Sequence, residues 1–121
     1  MKIIITASSS SLDARFDPRF GRSAFFVVVD TETMQWEALP NPAINASGGA
    51  GTQAAQFAAE KNVAAVISGD FGPNAASVLK AGGIPMFINK SEGNIRNIIE
   101  RFLAGELQQV DSPTASGTHH L

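Results

Sequence analysis

Three short apolar runs, Lys2–Ala7, Val63–Ile67 and Ile84–Ile88, dominate what this chain can become. Each is bounded by turn-forming residues, too short for a helix and rich in β-branched side chains, so each reads as a buried strand. Two segments of helical character lie between them, one in each interval. Ala50–Lys61 has apolar residues at 54, 55, 57, 58 and 59 and is entered through Gly48-Gly49. Pro73–Ala81 carries proline at its first position, and Gly82-Gly83 closes it. A β-α-β-α-β order requires parallel strands joined by right-handed crossovers.

The remaining segments complete a sheet. Ala24–Asp30 is aromatic and β-branched and predicts a second strand. Met34–Leu39 alternates as a half-buried hairpin partner until Pro40 and Pro42 end it. Phe25, Phe26 and Trp36 are expected in the core. A last helix is expected over Asn94–Leu103, capped by Ser91, with Ile95, Ile98, Ile99 and Phe102 on one face. The economical solution is an α/β fold, a five-stranded mixed sheet in order 3-2-1-4-5 with helices on its faces, a ribonuclease-H-like topology. Residues 1–107 are expected to form one domain and 108–121 a flexible C-terminal tail.

Composition removes several function classes. A net charge of −2 gives no electrostatic reason to expect nucleic acid. The absence of cysteine excludes disulfides, a thiolate nucleophile and thiolate ligation of a metal by this sequence. No apolar run approaches the roughly 18 residues of a membrane span, and the N-terminus lacks the apolar core of a signal peptide. A cytoplasmic location without membrane contact is therefore expected.

Open parallel sheets bind ligands beyond the carboxyl ends of their strands. Three segments are expected to meet there: the Asp17–Arg22 loop, Ser47–Thr52 at one helix start, and Gly69–Asn74 at the next. Helix starts offer unpaired N–H groups and partial positive charge, glycines let a ligand approach the backbone, and arginines add fixed charge. Together they describe an anion-binding edge. Plainer roles compete at each residue. The glycines at 48–51 also fit a simple turn, Arg22 also fits an ion pair with Asp17 or Asp30, Phe20 also fits loop packing, and Thr52 and Asn74 also fit helix caps.

Other chemistries lack parts. Gly49-Ala50-Gly51-Thr52-Gln53-Ala54 matches a dinucleotide fingerprint, and Asp70 follows Gly51 by 19 residues. That motif must leave a parallel strand directly, and here the loop Asn41–Gly48 intervenes. A metal-dependent nuclease needs clustered carboxylates, and Lys2–Ala7 contains none; Asp13, Asp17 and Asp70 all fall on loops. Histidine occurs only as His119 and His120, beside the terminal Leu121, where the pair could ligate a metal or be inert.

The segment Asp17-Pro18-Arg19-Phe20-Gly21-Arg22-Ser23-Ala24-Phe25-Phe26 resembles the dinitrogenase iron–molybdenum cofactor biosynthesis family. The resemblance continues at Gly49-Ala50-Gly51, at Val66–Ala75 and at Leu79–Pro85, so it spans residues 1 to about 105. It implies a ribonuclease-H-like fold and a non-enzymatic protein that transiently carries an anionic iron–sulfur or iron–molybdenum cluster in nitrogenase-type assembly. Its partners would be metallocluster donor and acceptor proteins, and the chain would be a monomer or weak homodimer. Arg19, Phe20, Gly21 and Arg22 map onto the family's signature loop, and Gly49, Gly51, Thr52, Gly72 and Asn74 fall on the neighbouring loops. Many members carry His at the position of Arg19 or Cys at that of Ser23; this chain has neither, which leaves charge, N–H donors and the His119-His120 pair. The alternative is a regulatory or interaction module that binds a small anionic ligand or a protein partner.

Overall fold

The computed structural model describes residues 1–114. In chain order the elements are β1 (Lys2–Ala7), β2 (Phe25–Asp30), β3 (Trp36–Pro40), α1 (Ala50–Ala59), β4 (Ala65–Ser68), α2 (Pro73–Ala81), β5 (Met86–Ile88), α3 (Ile95–Leu103) and β6 (Gln108–Val110). A single 3-10 turn, Phe20–Arg22, lies between β1 and β2. The strands form one mixed sheet in the order β3-β2-β1-β4-β5-β6. β1 pairs in parallel with β4, and β4 with β5. The β1–β2, β2–β3 and β5–β6 pairs are antiparallel.

The expected five-stranded sheet is corrected to six. Residues 108–110, assigned to the tail, pair Val110 with Met86 and Gln108 with Ile88. Only three residues long and two of them glutamine, β6 carries no periodicity to read. It forms because β5 would otherwise leave a row of backbone groups unpaired at the sheet edge, and half-buried Val110 adds apolar contact with the core.

The sheet divides the core in two. Ile4, Phe26, Val28 and Val66 pack against α1 and α2 on one face. Ile3, Ile5, Val27, Val29 and Ile67 pack against α3 on the other. Successive residues of a strand point to opposite faces, so a central strand covered on both sides must be apolar throughout. That is the origin of the continuous Ile3-Ile4-Ile5 run. Edge strand β3 obeys no such demand, and none of its residues is buried. Trp36, expected in the core, is 42% exposed there, whereas Phe26 is fully buried and Phe25 half-buried.

The cap of α3 also differs from expectation. Asn94, not Ser91, caps it: the Asn94 side chain accepts from Asn97 N–H, and the Asn97 side chain accepts from Asn94 N–H. Among the described residues no helix is long and apolar enough to cross a membrane.

Candidate functional site

The site is built by the loop that follows β1. The chain folds back over the carboxyl ends of β1 and β4 and is stitched there by backbone groups. Asp17 N–H donates to Thr6 C=O at 3.1 Å, and Gly69 N–H donates to Pro18 C=O at 3.1 Å. The buried Thr6 hydroxyl donates to Asp17 C=O, and Ser68 Oγ donates to Pro18 C=O at 3.3 Å. Arg19 then runs parallel beside Asp70. Gly69 makes this crossing possible, since a Cβ there would stand 2.3 Å from Pro18 Cβ and 2.7 Å from its Cα.

Asp17 sets the turn. Its nearly buried carboxylate accepts from Arg19 N–H at 2.9 Å, from Arg19 Nε at 3.1 Å and from Arg19 Nη2 at 3.0 Å. Those hydrogen bonds, then the charge of Asp17, hold the Arg19 guanidinium above its ordinary pKa. The arginine that pairs with Asp17 is therefore Arg19 and not Arg22. Arg22 instead donates through Nη1 to Ala46 C=O at 3.1 Å, is exposed, and forms no ion pair among the described residues.

The Phe20–Arg22 turn is pinned from below. The Phe20 ring is buried, with its centroid 5.5 Å from that of Phe26 and 5.3 Å from that of Phe71. Asn41, itself buried, donates through Nδ2 to Gly21 C=O at 3.2 Å and to Ser23 C=O at 2.9 Å. Gly21 lies directly on the start of α1: a Cβ at Gly21 would be 3.2 Å from Gly51 N.

Between this turn and the two helix starts is an open cleft of about 450 Å³. The loop contributes Phe20, Gly21 and Arg22, α1 contributes Ala50 and Gly51, and the β4–α2 segment contributes Asp70, Gly72, Pro73, Asn74 and Ala75. Helix α1 begins after Gly49, whose φ of 72° favours glycine, and α2 begins after an extended Gly72. Neither helix has a side-chain cap or an acidic residue in its first turn. The first N–H groups of a helix have no partner within it, so both starts present donors and partial positive charge to the cleft.

Of the residues expected at the site, Phe20, Gly21, Arg22, Gly51, Gly72 and Asn74 line this cleft. Arg19, Gly49 and Thr52 do not line it: Arg19 is held by Asp17, and Thr52 sits on the third residue of α1 without capping it. His119 and His120 lie outside the described residues. Among the described residues no group of three or more His, Cys, Asp or Glu is placed to hold a metal ion.

The sequence sets Asp70 within the converging Gly69–Asn74 segment without a role of its own there, and weighs it singly only for dinucleotide and nuclease chemistry. The structure puts Asp70 in the lining of the cleft; burial raises its pKa, and the charge of Lys90 opposes the rise. A second feature went unseen. Thr114 N–H donates to Phe71 C=O at 2.9 Å, and Phe71 N–H donates to Thr114 Oγ1 at 2.8 Å. This clasp ties the end of the described chain to the segment that forms the cleft wall. No sequence pattern signals it, because it joins two loops by backbone and hydroxyl groups alone.

The chain is similar to several known proteins over most of its length. An uncharacterised protein of Methanocaldococcus jannaschii is 34% identical over 100 residues, covering 80% of this chain and 84% of the relative. The apo form of the orange protein from Desulfovibrio gigas superposes with a TM-score of 0.89 at 38% identity, over 94% of this chain and 96% of that one. A Thermotoga protein of the DUF35 family superposes with a TM-score of 0.81 at 27% identity, over 94% and 97%. The model of the dinitrogenase iron–molybdenum cofactor family matches residues 1–105, and the chain belongs to that family.

Proposed function

We propose that this protein is a non-enzymatic carrier that transiently holds an anionic iron–sulfur or iron–molybdenum cluster in the cleft between the Phe20–Arg22 turn and the starts of α1 and α2. One observation carries the reading. Helix α3, which packs on the opposite face of the sheet and whose start does not line the cleft, has a reciprocal capping box, while α1 and α2, whose starts line it, have no side-chain cap. Capping normally satisfies orphan N–H groups, and here the two helices that face the cleft keep theirs free for a ligand. Gly72 adds an open approach, since a Cβ there would meet nothing within 4 Å. Arg22 supplies a cation with no carboxylate partner among the described residues.

The cluster is cargo in this reading, held by charge and N–H donors from the folded body. The His119-His120 pair, outside the described residues, is kept in this reading as a candidate pair of added metal ligands. Partners would be metallocluster donor and acceptor proteins in the cytoplasm, met by a monomer or weak homodimer. The proposal keeps a ribonuclease-H-like reading of the fold, supported by the β3-β2-β1-β4-β5 order within the sheet.

Anaerobic titration with an isolated iron–sulfur cluster, followed by gel filtration and iron analysis, tests this. Stoichiometric iron retention that falls with added salt, and falls further in Arg22→Ala, is the expected result. A folded protein that retains no iron would replace this reading with the small-anion or interaction module.

A further inference from the structure

Resting on the reading of the cleft as an anion site, the fixed charges around it pose a problem. Arg22 is the cation of its lining and Asp70 the anion. Arg19 adds little, because its guanidinium is bound by Asp17 at 3.0 Å. With Asp70 ionised, the side chains that line the cleft sum to no net charge. A dianion would then sit beside a carboxylate, and two like charges sharing one site do not both persist.

The surroundings of Asp70 resolve the conflict in one direction. The Asp17 carboxylate accepts from three Arg19 groups, and that of Asp30 accepts from Glu32 N–H, which lowers its pKa. Asp70 has no such donors among the described residues; what acts on its carboxyl is partial burial, which favours the neutral acid, against the charge of Lys90. The Lys90 ammonium donates to Gly69 C=O at 3.4 Å rather than to the carboxylate. The charge that acts on the Asp70 carboxyl is Lys90 from the β5–α3 loop; Arg19 runs alongside with its charge on Asp17, and Arg22 is the other ionisable residue of the cleft lining. Neither α1 nor α2 adds an ionisable side chain to the lining.

We propose that Asp70 determines what the cleft accepts: its carboxyl enters the complex protonated and donates a hydrogen bond to the bound anion, so the site takes up an anion and a proton together. The proton comes from solvent and returns to it on release. The ligand class is a multiply charged anion whose surface atoms accept hydrogen bonds, such as sulfide or oxo groups. A cation, or a ligand offering only donors, gains nothing from this arrangement.

Sulfate is a suitable probe, because it stays a dianion throughout the useful pH range. Carboxyl and amide NMR on the full chain would follow the titration of Asp70 and the shifts of the Gly51 and Asn74 N–H groups, in the parent and in Asp70→Asn. In the parent, sulfate should raise the Asp70 titration midpoint. Its affinity should fall about tenfold per pH unit above that midpoint in the free protein. Asp70→Asn, whose amide donates at every pH, should bind with flat pH dependence and more tightly than the parent near neutrality. Amide shifts at Gly51 and Asn74 with an unmoved Asp70 midpoint, or the same pH slope in both proteins, would overturn the role of Asp70 and leave the anion site standing. No shift at Gly51 or Asn74 in either protein at any pH would overturn both the site and this proposal.

Discussion

Gly69 and Gly72 flank Asp70 on one short segment and answer opposite demands. At Gly69 a methyl group would overlap Pro18, whose backbone is too close to yield. Gly69→Ala should therefore cost about 1–3 kcal/mol, measured by chemical denaturation, and should loosen the whole loop. At Gly72 the φ of −72° suits any residue and a methyl group meets open space. Gly72→Ala should change stability by less than about 1 kcal/mol and still weaken anion binding, because the methyl group narrows access to the backbone. Asp70 itself carries a stability signature. An acid whose pKa is raised on folding ionises more readily when unfolded, so it destabilises the fold as pH rises through that interval, and costs nothing below the unfolded value. Asp70→Asn should accordingly raise the melting temperature near neutral pH, with the gain vanishing in acid. The glycines and Asp70 were visible in the sequence as a cluster; which arginine is free was not. Both Arg19 and Arg22 lie within reach of Asp17 along the chain, and only the turn geometry decides that Arg19 takes it.

The elements were legible where both faces or one stripe had to be apolar. β1, β2 and β4 announce themselves as continuous runs, and α3 by its isoleucines. Edge elements did not, because an edge strand buries little and needs no pattern. That is why Trp36 on β3 is exposed and why β6 went unread. The α3 cap was misplaced for a related reason: Ser91 and Asn94 are both good caps, and the reciprocal bond from Asn97 selects Asn94. Asn94→Ala should cost about 1 kcal/mol in denaturant unfolding and leave anion binding unchanged, since this helix start is away from the cleft. An affinity loss in that variant as large as in Gly72→Ala would show that the contrast between capped and uncapped helices does not mark the site.

At the scale of the molecule, the sheet order places the cleft. The β1–α1–β4 connection has a hairpin inserted after β1, and the loop into that hairpin must cross the carboxyl edge between β1 and β4. This crossing brings Arg22 onto the start of α1, and the next crossover brings α2 beside it. The meeting of three segments was readable from topology alone, since ligands gather at such edges. The clasp of Thr114 on Phe71 was not, because it depends on where β6 turns the chain after the last helix. The net charge of −2 adds no long-range attraction for an anion, so binding must come from this local edge. Paramagnetic broadening tests that most directly, with an iron–sulfur cluster added anaerobically to the isotope-labelled protein. Amide signals of Gly51, Gly72 and Asn74 should broaden first, while those of Phe87 and Phe102, packed on the α3 face, stay sharp. Broadening centred on the α3 face, or none at all, would contradict the account.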